Sequence, residues 1–168
     1  MSITVAREGN RREGGVTRAE IDQACLDLQQ FFGHAPNPGL DFTQGEVEKL
    51  SKIFGTPLPG ALLALMEGRC CWFMEKRLLS AAEVLSHVER LERCKGWCPA
   101  HIPFAADLDG NLLVTDSGDG WAVYEWEDGA GCSNGALAPS FNSFVEEQRN
   151  QLLSGRYEYI EDVGVVEK

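Results

Sequence analysis

Several spacings of reactive side chains invite a chemical reading. Cys94-x3-Cys98-x2-His101 brings two thiols and an imidazole close together in the chain, and Cys70, Cys71 or Cys132 could add a fourth donor. Sulfur and imidazole nitrogen are the donors zinc prefers, but structural zinc sites pair two short ligand units and only one is present. Trp97 and Pro99 inside the unit suit an ordinary corner between a helix and a strand. Free cysteines and no metal are therefore expected. Gly131-Cys132-Ser133-Asn134-Gly135 has the form G-x-S-x-G, the elbow that exposes a hydrolase serine. In that fold the histidine follows the serine, whereas His34, His87 and His101 all precede Ser133, so a loop is expected.

Acidic pairs raise two more possibilities. Asp107-x-Asp109-Gly110-Asn111 resembles the opening of a calcium loop, but that loop needs glycine sixth and a carboxylate twelfth, where Leu112 and Gly118 stand. Asp-Gly at this point signals a tight hairpin turn instead. Asp116 with Asp119, and Glu125 with Glu127, offer paired carboxylates of the kind glycosidases use. Such pairs are common in acidic segments and read as a solvated face. No glycine loop of the phosphate-cradling type is present. The expectation is a chain with no catalytic residue, no metal and no cofactor.

Charge and aromatic residues point to binding. The formal net charge is −11, and no Lys or Arg occurs between Lys95 and Arg149. Such a stretch repels nucleic acid and anionic membranes and attracts basic partners. Trp121, Tyr124 and Trp126 fall in the same region. In a strand over 121–126, Ala122, Tyr124 and Trp126 would share one face and Trp121, Val123 and Glu125 the other. Large aromatics are favoured interface anchors, because each buries much area with few torsions to freeze. The expected partner-binding set is Asp107, Asp109, Asp116, Asp119, Trp121, Tyr124 and Trp126.

The elements that would position these residues are legible from caps and periodicity. Thr17-x-x-Glu20, Thr43-x-x-Glu46, Ser80-x-x-Glu83 and Ser143-x-x-Glu146 each mark a helix start, and Pro59 opens a further short helix. Strand-like runs cover 71–74, 112–115, 121–126, 157–160 and 163–166, with turns at Asp109-Gly110 and Ser117–Gly120. Helices and an antiparallel meander in this order predict an α+β fold. The 168 residues suffice for one domain that folds without staples. Residues 1–16 read as a flexible tail without an apolar leader, and 33–42 as a loop. No apolar run reaches the ~20 residues that cross a bilayer. Reduced cysteines and a cytoplasmic or nuclear location are expected, with Cys25 and one of Cys70 and Cys71 packed as small hydrophobes.

Residues 43–168 also resemble a known family. A helix ending Phe54-Gly55 leads to Leu58-Pro59 and a Leu-rich helix ending Glu67-Gly68, then a short aromatic strand and Arg77-Leu78-Leu79-Ser80-x-x-Glu83-Val84. Ile102-Pro103-Phe104-Ala105-x-Asp107-x-Asp109-Gly110-Asn111, Leu113-x-x-Asp116 and Ser140-Phe141-x-Ser143-Phe144 follow. This order is similar to the SUKH superfamily, which includes fungal cell-wall-synthesis regulators and many bacterial immunity proteins. The glycine-rich stretch usual after the Leu-rich helix is shortened here to Gly68-Arg69-Cys70-Cys71, and the helix at 17–32 lies outside the match as a possible docking or oligomer element. The resemblance implies a mixed, mostly antiparallel sheet covered by helices, and a non-enzymatic domain that holds a partner protein by a cleft and acidic surface. An adaptor or regulator with a basic protein partner is the expected function; an immunity protein against a toxin, or a zinc-binding or hydrolytic protein, are the alternatives.

Overall fold

A computed structural model of the protein describes residues 16–33, 44–67, 72–160 and 163–168. Residues 1–15 of the expected tail, most of the 33–42 loop, the Thr43 cap, Cys70 and Cys71 lie outside the described residues; Val16, expected in the tail, is buried in the core. The helices are α1 (Arg18–Phe32), α2 (Gln44–Phe54), α3 (Gly60–Glu67), α4 (Ala81–Leu91) and α5 (Phe141–Leu152). The strands are β1 (Trp72–Phe73), β2 (Lys76–Leu78), β3 (His101–Ala106), β4 (Leu112–Asp116), β5 (Val123–Glu127), β6 (Gly131–Cys132), β7 (Tyr157–Ile160) and β8 (Gly164–Glu167). The architecture is α+β, as expected. No helix among the described residues is long and apolar enough to cross a membrane.

Capping chemistry sets the helix starts. At α1 the Thr17 hydroxyl accepts from the Glu20 N–H while the Glu20 carboxylate accepts from the Thr17 N–H, which satisfies two otherwise unpaired donors. Ser80 and Glu83 make the same box at α4. At α5 the cap is Ser140, whose Oγ accepts from Ser143 N–H at 3.0 Å, so the helix begins just ahead of the Ser143-x-x-Glu146 pattern.

Strands β1 to β6 form one sheet in sequence order, and every neighbouring pair is antiparallel. Strands β7 and β8 make a separate hairpin. Gly164 has φ +110° there, and a Cβ on it would lie 3.6 Å from the Trp72 ring, so the hairpin is seated against β1 by a close approach. Strand β3 was not apparent from alternation, because Pro103 argues against an interior strand. The structure accommodates it with a register shift between Pro103 and Ala105, where the ladder is already irregular.

The sheet is covered on both faces. On one side Ile102, Phe104, Leu113 and Val123 join Leu28, Leu50, Leu62, Leu65, Phe141 and Val145 in the main core. On the other, Leu91, Leu112, Val114 and Trp126 form a second cluster, edged by Cys94, Trp97, Tyr124 and Cys132. Helix α1 packs against α3, α5 and β7, with Leu28 fully buried and Phe32 edge-on to Tyr159 at 5.2 Å. It is part of the core, which leaves its apolar stripe no room for the docking role considered above. Cys25 is buried in that stripe, and burial, aided by the Asp22 charge, pushes its thiol up to about 11. It packs as a small hydrophobe, as expected.

Two outcomes follow from this packing. Leu28→Ala should lower unfolding free energy by about 2–5 kcal/mol, with one cooperative transition retained in a denaturant melt. A loss below about 0.5 kcal/mol would show α1 to be peripheral. The second concerns Glu83, which accepts from Arg77 at 2.6 Å and from the Ser80 N–H. Burial pushes its carboxyl up, but those hydrogen bonds and the Arg77 charge outweigh it, and its pKa lies below the ordinary glutamate value. A depressed carboxylate stabilises above the unfolded value near ~4.3 and loses that contribution as pH falls through the folded value. Glu83→Gln should therefore cost about 1 kcal/mol at neutral pH and progressively less at acidic pH, as the folded Glu83 carboxylate takes up its proton. Chemical denaturation at neutral and acidic pH checks this; an unchanged difference would contradict it.

Candidate functional site

The ladder registers decide which predicted residues can act together. Ala106, Leu112, Trp126 and Cys132 are successive partners across β3, β4, β5 and β6, while His101 pairs with Asp116 and Thr115 with Val123. The turn carrying Asp109 and the turn between β5 and β6 therefore lie at one end of the sheet. Asp116 and Asp119 lie at the other, along the length of β4. The seven residues expected to form one surface are split between two ends.

At the first end Asp107 is committed to structure. Its Oδ1 accepts from the N–H groups of Asp109 and Asn111, both at 2.9 Å, which makes the tight turn that looked like a calcium loop. Its other oxygen lies 3.7 Å from the Lys76 ammonium, which also reaches Glu125 at 3.2 Å and Glu75 at 3.3 Å. Lys76 is only 4% exposed. Burial pushes its pKa down, but the hydrogen bonds and charges of Glu125 and Glu75 outweigh this and hold it above the ordinary lysine value. Asp107 is held below the ordinary aspartate range: burial opposes, but the Asn111 and Asp109 hydrogen bonds and the Lys76 charge prevail. Exposed beyond this neutralised group are Leu108, Asp109, Glu127 and Asp128. Beside them an open cleft of about 270 Å³ is lined by Glu125, Glu127, Ala130, Gly131, Cys132, Ser133 and Asn134.

Toward the second end side chains of four strands meet at one imidazole, with Cys132 reaching it from the register of the first end. His101 on β3 places Nε2 3.3 Å from Oδ2 of Asp116 on β4 and stacks on Tyr124 of β5 at 5.6 Å. Its Nδ1 is 3.9 Å from Sγ of Cys132 on β6. Neighbouring strands are ~4.8 Å apart, so a flat sheet would separate β3 from β6 by about 14 Å. The contact requires a sheet that coils toward this face. Trp97 closes the ring edge-on at 5.8 Å and packs edge-on against Trp126 at 5.1 Å. Cys98 completes the group: its sulfur, an imidazole nitrogen of His101 and a carboxylate oxygen of Asp116 all lie within 4.8 Å of one another.

The aromatic residues are corrected accordingly. Trp126 is 3% exposed and belongs to the second cluster, with a buried indole Nε1 that makes no hydrogen bond, so it anchors the sheet and not a partner. Trp121 precedes β5 in a turn with φ +62°, an uncommon conformation for a bulky residue, and its half-buried ring packs on the main core. Tyr124 is held against His101; burial and the Asp119 and Asp116 charges push its phenol up. Only Asp109 and Asp119 of the expected set are exposed, at opposite ends of β4. The spacing argument found Cys98, His101 and Cys132 as possible ligands but not Asp116, whose place beside His101 comes from strand register alone. It did not find Lys76.

Cys132, His101 and Asp116 stand in the order of nucleophile, base and orienting carboxylate. Burial, however, pushes the Cys132 thiol up, the reverse of the activation a cysteine nucleophile needs. Neither a family model nor a curated protein matches the chain. Fold and site together define its class: an α+β domain with an antiparallel sheet that carries an acidic cleft and, bordering it through Cys132, a thiol–imidazole–carboxylate cluster.

The Lys76 group can be measured directly. Lys76→Ala should destabilise by about 1–3 kcal/mol, since its carboxylate partners are left facing one another while still partly solvated. Adding Glu125→Gln should recover part of the loss, with a coupling of about 0.5–3 kcal/mol in a double-mutant cycle. Strict additivity would show that the ion pair contributes nothing.

Proposed function

We propose that this chain is a non-catalytic protein-binding domain of the SUKH type, which holds a basic partner at the acidic end of its sheet. The order of elements supports the family reading: α2, a Leu-rich α3, a short aromatic β1, α4 opened by Ser80 and Glu83, the β3–β4 hairpin, and α5 opened by Ser140. One observation carries the binding reading. A fully exposed Leu108 sits between Asp107 and Asp109 at the same end as exposed Glu127 and Asp128 and the cleft lined by Glu125 and Glu127.

Each part has a separate physical role. Exposed carboxylates speed encounter with a basic protein and reject acidic ones, but contribute little affinity singly. The cleft presents the exposed Glu127 carboxylate beside the Lys76-paired Glu125, and a single carboxylate suits the planar fork of an arginine. Leu108 supplies apolar area at a turn tip that is fixed from beneath by Asp107. Within the expected set, this reading keeps Asp109 and sets aside Asp116, Tyr124 and Trp126.

Charge reversal separates the two ends. Partners captured by the wild-type protein, identified and then titrated individually, should bind the Asp109→Lys/Glu127→Lys/Asp128→Lys variant at least about 10-fold more weakly, and wild-type affinity should fall with salt. Asp119→Lys should bind as wild type does. Equal binding by the triple variant, with its melting temperature unchanged, would overturn the assignment.

A further inference from the structure

We propose that Cys98, His101 and Asp116 bind one zinc ion through the Cys98 sulfur, the His101 Nε2 nitrogen and the Asp116 Oδ2 oxygen. The inference does not rest on the partner reading: none of the three ligands lines the cleft, although Cys132 borders both places. Its first support is the donor geometry. One ligand atom of each residue lies within 4.8 Å of the other two, and Nε2 of His101 stands 3.3 Å from Oδ2 of Asp116. Zinc bonds of about 2.0–2.3 Å at tetrahedral angles give ligand edges of about 3.3–3.8 Å, so the imidazole and carboxylate already stand at the required separation and the sulfur is near it.

The second support is that each ligand is positioned by groups the metal does not touch. Oδ1 of Asp116 accepts from the Gly118 N–H at 2.9 Å, which leaves Oδ2 turned to His101. A Cβ at Gly118 would lie 3.4 Å from that same Oδ1, so the turn and the carboxylate are fitted together. The Cys98 segment is tied to this turn, because both the N–H and the hydroxyl of Ser117 donate to the Ala100 carbonyl, at 2.9 and 2.8 Å. The His101 N–H donates to the Cys98 carbonyl at 3.0 Å. On the far side of the imidazole, Cys132 sulfur faces Nδ1 at 3.9 Å. Without metal the Asp116 carboxylate accepts from Nε2–H; when an ion takes Nε2, the hydrogen moves to Nδ1, where the Cys132 sulfur stands as its acceptor, the usual arrangement of a ligating histidine.

The third support is the donor set and its surroundings. One sulfur, one imidazole and one carboxylate suit zinc, whereas calcium and magnesium take all-oxygen shells. His101 is 8% exposed and walled by Trp97 and Tyr124, while half-buried Cys98 and Asp116 leave the fourth position open to solvent. Water completes the tetrahedron.

Cobalt provides a direct probe, since it enters zinc sites and reports ligands by colour. Metal-free protein titrated with Co2+ should develop tetrahedral visible bands and sulfur-to-cobalt charge-transfer absorption that saturate at about one ion per chain and are abolished by one equivalent of Zn2+. Cys98→Ser should remove the charge-transfer band and weaken Zn2+ binding at least about 100-fold, Asp116→Asn should weaken it comparably, and Cys132→Ser about 10-fold. Cys94→Ser should bind as wild type does. Circular dichroism of each variant without metal establishes that it is folded. Absence of cobalt bands in the wild-type protein would overturn the proposal, as would a charge-transfer band that survives Cys98→Ser or is lost in Cys94→Ser.

Discussion

The burial of β4 on both faces is the constraint from which the rest follows. Leu112 and Val114 point into one cluster and Leu113 into the other, and the Thr115 hydroxyl, also fully buried, donates to the Trp121 carbonyl at 2.8 Å. An antiparallel sheet commonly leaves one face to water. Here each apolar residue of the second face is worth about 1.5–3 kcal/mol when covered, so the chain must supply a second cover. The helices take the first face. The connection from the end of α4 to β3 takes the second, and that path lays Cys94, Trp97 and Cys98 over the sheet beside His101. The cluster of reactive side chains is a consequence of how the second core is closed.

Charge is handled by a similar division. A net charge of −11 in a chain with no cation from 96 to 148 opposes compaction. Lys76 reaches in from β2, beside β3 in the sheet, and places one buried ammonium against Glu125, Glu75 and Asp107. The carboxylates nearest the strands are thereby neutralised from within. Those on the turn tips, Asp109, Glu127 and Asp128, stay in water, where mutual repulsion is screened. The local density of negative charge available to a partner is thus lower than the sequence count suggests, and it is concentrated on two neighbouring turns.

Local chemistry in the sequence specified local structure well. The capping boxes at Thr17 and Ser80, the Asp109-Gly110 turn and the apolar stripe of α1 follow from interactions within a few residues, and all stand in the structure. What alternation could not reveal was long-range. Strand β3 carries a proline whose missing N–H is tolerated only because β4 meets it at a bulge. Strand β2, Lys76–Leu78, is too short and polar to announce itself. Trp121 stands at a positive φ just ahead of β5, yet it packs on the main core with Val123, the side alternation gave it; its burial there, set by the long-range fold, is what takes it out of a docking surface. The same reasoning explains the site. Cys98 and His101 are close in sequence and were seen together; Asp116 became their neighbour only through the β3–β4 register.

Preformation distinguishes this cluster from the zinc sites of very small domains. Where a fold has too little core, ligands are assembled by the ion, and binding energy becomes folding energy. This chain closes two apolar clusters with its own side chains, and the Ser117, Gly118 and His101 backbone contacts set the ligand positions before any ion enters. An ion bound there acts on an already ordered loop and stabilises the fold only by mass action, in proportion to the logarithm of its free concentration over Kd. It also joins the Cys98 segment to β4 at the point where the second cover ends. An ion held there would be a clasp on an already closed core.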